Sequence, residues 1–422
     1  MSVRFLLTAV LLAGLATTAQ AQSHFILNDR INHMIFRAVD GNNDLDLDDS
    51  GELNVYFSEA NAAGTLAPAN PTCLDIGANG FVVMGDQVNR NVYLLRDLND
   101  DGDVQDVGES IVFADATNLS GISFAFPTGI TFDSLGRIHV ANAGNGLGSD
   151  GIYRLVDLNG DGAAQDSAEI TEYVGVPFFG EGNGPYGPQE IYFDVEDTLF
   201  MHNSSTGLNG VYRFRDLDHN GRADDAGEAT TYWDATNADG MPVYAGFAIE
   251  PDRVRARSMY ILQTASGSVD QLVRLTDANN DGDAQGAGES AVVWSAMEAG
   301  FISVDVVSLV NGDVLITDNS GKRVIRLHDA NNDGDFLDAG ERVDYYTNPD
   351  AVMGDVRQMS VLPIPGDVNR DLVRDLGDLD AFVNVLCDTD FDPLRRLAAD
   401  VNKSGKPDGD DCQHLGELLT AP

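Results

Sequence analysis

Six short acidic segments recur along this chain at intervals of 52 to 61 residues. Each begins with Asp, has Asp or Asn at positions 3 and 5, and reaches a Glu at position 13. Position 6 is Gly in five of the six copies. Oxygen ligands at alternate positions, with a Gly that lets the chain curl around a cation, are typical of a Ca²⁺-binding loop. The spacing therefore predicts six calcium loops, one in each copy of a repeat.

The candidate calcium ligands occupy positions 1, 3, 5 and 13 of each loop. From the first loop to the sixth they are Asp40, Asn42, Asp44 and Glu52; Asp97, Asn99, Asp101 and Glu109; Asp157, Asn159, Asp161 and Glu169; Asp216, Asp218, Asn220 and Glu228; Asp277, Asn279, Asp281 and Glu289; and Asp329, Asn331, Asp333 and Glu341. The Glu stands one residue later than the bidentate Glu of an EF-hand. Position 10 is Asp in five copies, so either acid could close the coordination sphere. Asp, Asn and Gly also favour plain turns, but a turn needs only two of them.

Alternating apolar residues flank each acidic segment, as in Ile152–Leu155 before the third copy and Ile170–Tyr173 after it. Period-two alternation rich in β-branched and aromatic residues predicts strands, so each acidic segment is the turn of an outer hairpin. Two further strands fit between successive hairpins, for example 129–132 and 137–140. Four strands in each of six repeats predict an all-β fold, a six-bladed β-propeller.

The two ends of the repeat region predict how the ring closes. Phe25–Leu27 and Ile35–Arg37 are the later strands of a blade that has no inner strand of its own, whereas Val356–Val361 has no partners. We expect the second segment to supply the missing inner strand, because this strand exchange removes an exposed sheet edge.

One blade carries a family resemblance. The segment 126–142 reads FPTGITFDSLGRIHVAN and resembles blades of the NHL and SMP-30/gluconolactonase-like propellers. In the lactonase-like family, a Glu, an Asp and Asn residues near the mouth of the axial channel hold a metal that polarises a lactone carbonyl. By this resemblance the corresponding residues are Glu190, Asn142, Asn203, Asp305 and Asp318, with Glu190 and Asp305 as the candidate catalytic residues. The alternative is that Asx residues at the ends of second strands cap the next turn, and that channel acids bind only water.

A second, smaller domain follows the propeller. Residues 363–366 (PIPG) break the β pattern and indicate a linker. Two further acidic loops begin 33 residues apart, each followed by a helical segment, 379–386 and 414–419. Their candidate ligands are Asp367, Asn369, Asp371, Asp375 and Asp378, then Asp400, Asn402, Ser404, Asp408 and Asp411. The arrangement resembles a dockerin-type module over 367–422, although Leu372 stands where Gly is usual. The resemblance implies a cohesin-like or cell-surface protein partner.

The N-terminal residues indicate export. Arg4, the apolar run Phe5–Leu15 and the small residues before 22 are typical of a signal peptide over 1–21, which leaves a propeller over 22–362. We therefore expect a secreted or periplasmic protein, associated with the cell surface. The net charge of −43 disfavours nucleic acid and anionic membranes as partners. No later apolar run is long enough for an integral membrane segment.

Two functional hypotheses remain from the sequence. The first is a calcium-binding propeller that acts as a binding or scaffolding module, tethered through the dockerin-like tail. The alternative is a metal-dependent lactonase or hydrolase that uses the axial channel mouth on the face opposite the acidic loops. A ring of acids that converges on the axis within reach of one metal would favour the second. Cys387 and Cys412 could form one disulfide, and Cys73 is expected to be a buried small hydrophobe.

Overall fold

The computed structural model describes residues 20–21, 24–42, 44, 46–77, 80–99, 101–144, 150–179, 187–205, 208–265, 269–296, 301–363, 365–370, 373–374, 376–390, 393–402 and 406–420. The segment interpreted as a signal peptide lies outside these residues except for Gln20 and Ala21. Within the described ranges, no helix is both long enough and apolar enough to span a membrane.

The described residues contain twenty-six strands. In chain order they are β1 (Gln20–Ala21), β2 (His24–Asp29), β3 (Met34–Val39), β4 (Leu53–Phe57), β5 (Pro71–Ile76), β6 (Val82–Asp86), β7 (Asn91–Leu95), β8 (Ser110–Ala114), β9 (Pro127–Phe132), β10 (Ile138–Asn142), β11 (Gly151–Leu155), β12 (Ile170–Val174), β13 (Pro188–Phe193), β14 (Leu199–Asn203), β15 (Gly210–Phe214), β16 (Ala229–Trp233), β17 (Gly246–Pro251), β18 (Ser258–Ala265), β19 (Val269–Thr276), β20 (Ser290–Ser295), β21 (Ser303–Ser308), β22 (Val314–Asp318), β23 (Arg323–Leu327), β24 (Arg342–Tyr346), β25 (Met359–Val361) and β26 (Val373–Arg374).

Twenty-four of these strands form six antiparallel four-stranded sheets, which are the blades of a propeller. Blade 1 contains β25, β2, β3 and β4, and blades 2 to 6 each contain four consecutive strands, from β5–β8 to β21–β24. Neighbouring inner strands contact one another around the ring, including β25 with both β5 and β21. The all-β, six-bladed fold predicted from the sequence is confirmed.

Strand exchange closes the ring as predicted. β25 pairs with β2 through Phe25↔Val361, Ile26↔Ser360 and Leu27↔Met359. The N–H of Asn28 also donates to the carbonyl of Gln358 at 3.1 Å. The two ends of the repeat region thus complete one blade, and no sheet edge is left open at the seam.

The core is divided among the six blade-to-blade interfaces. Six apolar clusters each draw on the facing sheets of two neighbouring blades, and the cluster of blades 6 and 1 includes an edge-to-face contact of Phe25 with Tyr345. At one interface the inner strands approach closely, because a Cβ at Gly129 would lie 2.6 Å from the carbonyl oxygen of Gln189. A larger residue at 129 would force blades 3 and 4 apart.

Antiparallel pairing also fixes where the turns lie. Within blades 2 to 6, the turn between the first and second strands and the acidic loop between the third and fourth strands lie at the same end of the sheet, and in blade 1 the acidic loop lies at that end too. The six acidic loops and the five inner turns therefore share one face of the ring, here called the loop face. Second strands end on the opposite face.

Four helices complete the described structure: α1 (Val176–Phe179), α2 (Asp378–Leu386), α3 (Pro393–Ala399) and α4 (Asp411–Thr420). The last three form a small helical module with its own core, which includes Val368, Phe382, Val385 and Leu415. The sequence predicted α2 and α4 but missed α3. β26, just before α2, pairs with β1.

Candidate functional site

The Glu at position 13 closes each acidic loop by bonding to the backbone of that loop. In loop 2, Glu109 Oε1 accepts the N–H of Leu98 at 2.8 Å and Oε2 accepts the N–H of Asp106 at 3.1 Å. The equivalent two bonds, from positions 2 and 10, recur in the other five loops. All six of these Glu residues are buried. Charge-assisted bonds of this kind hold the loop in one shape.

Oxygens at positions 1, 3, 5 and 10 gather inside each loop. In loop 2, Asp97 Oδ2 accepts the N–H of Gly102 at 2.9 Å. Gly102 has a φ of 97°, a left-handed backbone conformation that favours glycine. The amide nitrogen of Asn99 donates to Asp101 at 3.0 Å and to Asp106 at 2.7 Å. Loops 1, 3 and 6 repeat this arrangement. Asp at position 10 is therefore placed with the other candidate ligands.

Loop 4 brings three carboxylates within reach of one ion. One oxygen each from Asp216, Asp218 and Glu228 lie within 4.8 Å of one another, which among the described residues is the one such group of acids. Hard carboxylate oxygens gathered this closely fit a divalent cation of the Ca²⁺ or Mg²⁺ type. Glu228 can thus both accept hydrogen bonds from the loop backbone and bind the ion, so positions 10 and 13 both remain candidate ligands.

Each acidic loop also joins its own blade to the preceding one. In loop 2, the N–H of Val104 donates to the carbonyl of Tyr56 in β4 at 2.9 Å, and Val104 is buried in the cluster between blades 1 and 2. Position 8 makes the same bond in the other loops, through Leu47, Ala164, Ala223, Ala284 and Phe336. The shape of a loop therefore sets the packing of a blade-to-blade interface, and loop 1 does this at the ring-closing seam.

A cavity of about 740 Å³ occupies the axis of the propeller. Its walls are the second halves of the inner strands and the inner turns on the loop face. Its acidic lining residues include Asp75, Glu190, Glu250 and Asp305, and Arg370 and Asp390 of the C-terminal module also line it. Acids thus line the axis, but among the described residues no three of them bring oxygens within 4.8 Å of one another, which is the reach of a metal that the hydrolase hypothesis requires.

A side-chain bridge crosses the axis at the other end of this cavity. Gln358 Nε2 donates to Glu190 Oε1 at 3.1 Å, and these residues belong to blades 1 and 4, which are opposite in the ring. Gln358 Oε1 accepts the N–H of Leu74 at 2.9 Å, and Glu190 Oε2 accepts the N–H of Ile249 at 3.0 Å. This bridge bounds the cavity on the side of the inner-strand starts, and the cavity extends from it towards the loop face.

Burial raises the pKa values of the two candidate catalytic residues. Asp305 is buried, and its carboxylate accepts the N–H groups of Val306 at 2.9 Å and Met359 at 2.7 Å. Loss of solvation raises the pKa of Asp305 to about 8. The pKa of Glu190 is also raised well above its usual value, first by burial and then by repulsion from Asp305. Perturbed carboxyl groups in a cavity are a recognised signature of a functional site.

Sequence reasoning missed further acids in the cavity, among them Asp75 and Glu250. Burial raises the pKa of Asp75 to about 6, and burial also raises that of Glu250, which pairs with Arg253 at 3.2 Å. Asp75 lies in β5 and Glu250 in β17, the inner strands of blades 2 and 5. An acid within a predicted inner strand is the signal that could have found them, because inner strands surround the central channel of a propeller.

The second-strand residues that the resemblance implied as metal ligands accept hydrogen bonds from backbone N–H groups. Asn142 Oδ1 accepts the N–H of Phe126 at 3.0 Å, and Asn203 Oδ1 accepts the N–H of Gly187 at 2.7 Å. Asp318 Oδ1 accepts the N–H of Ile302 at 3.2 Å. These side chains fix the segment that enters each inner strand, which the capping alternative did not name, and Asp318 Oδ1 also accepts the N–H of Gly321 at 3.0 Å in the next turn, as that alternative predicted.

The acidic loops of the C-terminal module are closed by the same kind of hydrogen bond, from a backbone N–H to a buried carboxylate. Asp378 and Asp411, both buried at position 12, accept the N–H groups of Asn369 at 3.0 Å and Asn402 at 2.9 Å. The candidate ligands Asp371, Asp375 and Ser404 lie outside the described residues. All three cysteines are free thiols, so the predicted bridge between Cys387 and Cys412 is not formed, whereas Cys73 is buried as expected.

Comparison with known proteins finds similarity to solved structures at low sequence identity. No protein-family model and no curated protein matches the chain. Solved structures with a similar fold include a virginiamycin B lyase from Staphylococcus aureus, with 15% identity over 80% of this chain and 89% of that chain and a TM-score of 0.43. A gluconolactonase from Xanthomonas campestris has 14% identity over 80% and 90% of the two chains and a TM-score of 0.45. A calcium-binding regucalcin from Agrobacterium tumefaciens has 12% identity over 64% and 73% and a TM-score of 0.42.

Proposed function

We propose that this protein is a calcium-stabilised β-propeller that works as a binding module, with the axial cavity as its ligand site. Calcium at the acidic loops has a structural role, and export and tethering through the dockerin-like tail to a cohesin-like or cell-surface partner belong to the same proposal. The cavity volume of about 740 Å³ falls in the usual range for small-molecule sites.

One observation carries the calcium role. In all six copies the acidic loop places a buried residue at position 8 between two blades, and bonds it to the outer strand of the preceding blade. A cation that fixes the loop therefore fixes an interface as well. Uncompensated carboxylates in the same loop would repel one another, and a divalent cation removes that repulsion.

Calcium removal should lower the melting temperature strongly. Binding to the folded state alone stabilises by RT ln(1 + [L]/Kd), which is about 1 kcal/mol or less per weak site at millimolar calcium, summed over several sites. We expect EDTA to lower the melting temperature by on the order of 10 °C, and excess Ca²⁺ to restore it. Differential scanning calorimetry with metal analysis measures both the shift and the number of bound ions.

A matched pair of variants tests whether the loops are responsible. Asp216→Asn with Glu228→Gln in loop 4 should remove one bound ion and part of the calcium-dependent shift. Glu196→Gln changes an exposed carboxylate in the same blade and should leave both unchanged. A melting temperature that is indifferent to EDTA would overturn the calcium role.

The spread of pKa values in the cavity favours a second candidate, a hydrolase. An Asp75 carboxyl with a pKa of about 6 and an Asp305 carboxyl with a pKa of about 8 provide a base and an acid near neutral pH. Among the described residues, the cavity carboxylates do not bring three oxygens within 4.8 Å of one another, so as placed they do not fit a metal. Acid–base hydrolysis of a lactone or ester is the reaction class that these groups could support.

A panel of lactones and esters separates the two roles. We expect no turnover above background, because Glu190 and Asp305 already accept bonds from neighbouring inner strands. Hydrolysis that disappears in Glu190→Gln and Asp305→Asn, but survives in Asp101→Asn with Glu109→Gln, would replace the binding role by the hydrolase.

A further inference from the structure

A guanidinium group of the C-terminal module lies at the loop-face end of the axial cavity. Arg370 lines the cavity and acts electrostatically on Glu250, which lies inside it. Asp390, at the end of the segment after α2, lines the same opening, and Leu397 of α3 lies beside Gly80 at the rim of blade 2. The module therefore partly covers the opening of the cavity, and it brings a cation to that place.

The interior of the cavity holds more negative groups than positive ones. Glu250 is paired with Arg253, whereas Asp75, Glu190 and Asp305 form no ion pair within the described part of the chain. Their bonding partners are backbone N–H groups and neutral side chains, such as Gln358 for Glu190. A buried carboxylate without a cation is costly, so burial favours the protonated forms of these groups, and a cationic ligand would pair with the ionised form and displace that proton.

The size and the walls of the cavity define the ligand further. Among the described residues its acids do not bring three oxygens within 4.8 Å of one another, and about 740 Å³ exceeds what a bare ion would fill. Apolar residues such as Ile130, Phe132 and Val307 line the cavity together with the acids. A flexible hydrocarbon stem with a charged nitrogen at one or both ends matches a cavity that has both acidic and apolar walls.

We propose that the axial cavity binds a small organic cation of the amine or guanidinium class, and that Arg370 is a built-in competitor at its opening. The inference names the ligand class for the binding role proposed above, and it rests on that role. A ligand entering from the loop face must move Arg370 aside, so removing this charge strengthens binding. Replacing a carboxylate deeper in the cavity weakens it.

Calorimetric titration with agmatine, which carries one amine and one guanidinium group, tests the inference at constant millimolar Ca²⁺. We expect Arg370→Gln to tighten binding by about tenfold, equivalent to about 1.4 kcal/mol, and Arg370→Lys to leave it within about twofold of wild type. Asp305→Asn should weaken binding by about tenfold or more. Glu196→Gln, an exposed control, should have no effect. N-butylurea, a neutral molecule of similar shape, should not bind.

Two results would overturn the inference. One is that agmatine binds neither the wild type nor Arg370→Gln; the other is that N-butylurea binds as well as agmatine. Calcium-dependent melting of the same preparations separates this failure from failure of the proposed function. If melting still depends on calcium, only the ligand class is wrong, and if it does not, the calcium-stabilised module itself is wrong.

Discussion

Deletion of Val356–Leu362 should destabilise the propeller far more than removal of everything after Pro365. The deleted segment contains β25, whose loss would open a sheet edge in blade 1. It also contains the buried core residues Val356 and Met359, each worth on the order of 2–4 kcal/mol. Together with the lost pairing, this is comparable to the whole stability of a typical domain, so we expect no cooperative melting above room temperature.

Truncation after Pro365 is the matched comparison for this deletion. The C-terminal module has its own apolar core, so the propeller should keep its cooperative transition and lose only a few degrees. Met359→Ala serves as a milder variant, expected to lower the melting temperature by about 5–10 °C in the full chain. Equal losses in the deletion and the truncation would contradict ring closure by β25.

The blades were predictable because their information is local. Alternating strands such as β11 and β12 flank each acidic loop within about 20 residues, so period-two alternation and the repeat length determine both elements and their pairing. The closing strand could also be predicted, because β25 was left without partners and blade 1 lacked an inner strand. In the C-terminal module, α3 was not predicted, because it does not follow an acidic loop.

The axial cavity was harder to predict because its contacts are long-range. The bridge from Gln358 to Glu190 joins residues 168 positions apart, and nothing in either segment indicates that the two side chains meet across the axis. That bridge bounds the cavity on the side of the inner-strand starts. Asn142 and Asn203 were placed correctly at the ends of β10 and β14, but their role depends on backbone groups that arrive from the preceding loop.

The acids of the loops and the acids of the axial cavity thus have opposite effects on the stability of the protein. In the loops, a buried Glu accepts two backbone N–H groups, and the exposed acids around it can be neutralised by an ion that the solvent supplies. In the cavity, Asp305 is buried beside other carboxyl groups, and burial raises its pKa. Such a group lowers stability when it ionises, and proteins keep groups of this kind mainly where they serve binding or catalysis.

The contribution of Asp305 to the free energy of unfolding should therefore fall as the pH rises from about 4 to about 8, whereas below about pH 6.5 the buried His139 and His202, whose pKa values burial lowers to about 3 and about 4, contribute in the opposite direction. The folded-state pKa of Asp305 is raised to about 8, whereas an unfolded Asp titrates near 4. Between these values the folded state holds a proton that the unfolded state has lost, so each pH unit costs up to about 1.4 kcal/mol until Asp305 ionises in both states. Below pH 4 and above pH 8 this contribution is constant. Glu190, whose pKa is also raised, adds to the slope in the same direction.

Asp305→Asn removes this titrating group, so the variant should be less stable than the wild type at low pH and more stable at high pH. Near pH 5 the variant should be slightly less stable than the wild type, because an amide accepts only one of the two backbone bonds well, at a cost of about 1 kcal/mol. Near pH 8.5 it should be more stable by a few kcal/mol, because no buried charge has to form. Urea unfolding at constant calcium across this range measures the pH at which the two proteins are equally stable.

The exposed Glu196→Gln is the control, and its free energy of unfolding should change with pH as that of the wild type does. A constant difference between Asp305→Asn and wild type from pH 5 to pH 8.5 would mean that Asp305 is ionised in the folded protein throughout, and hence already paired with a cation.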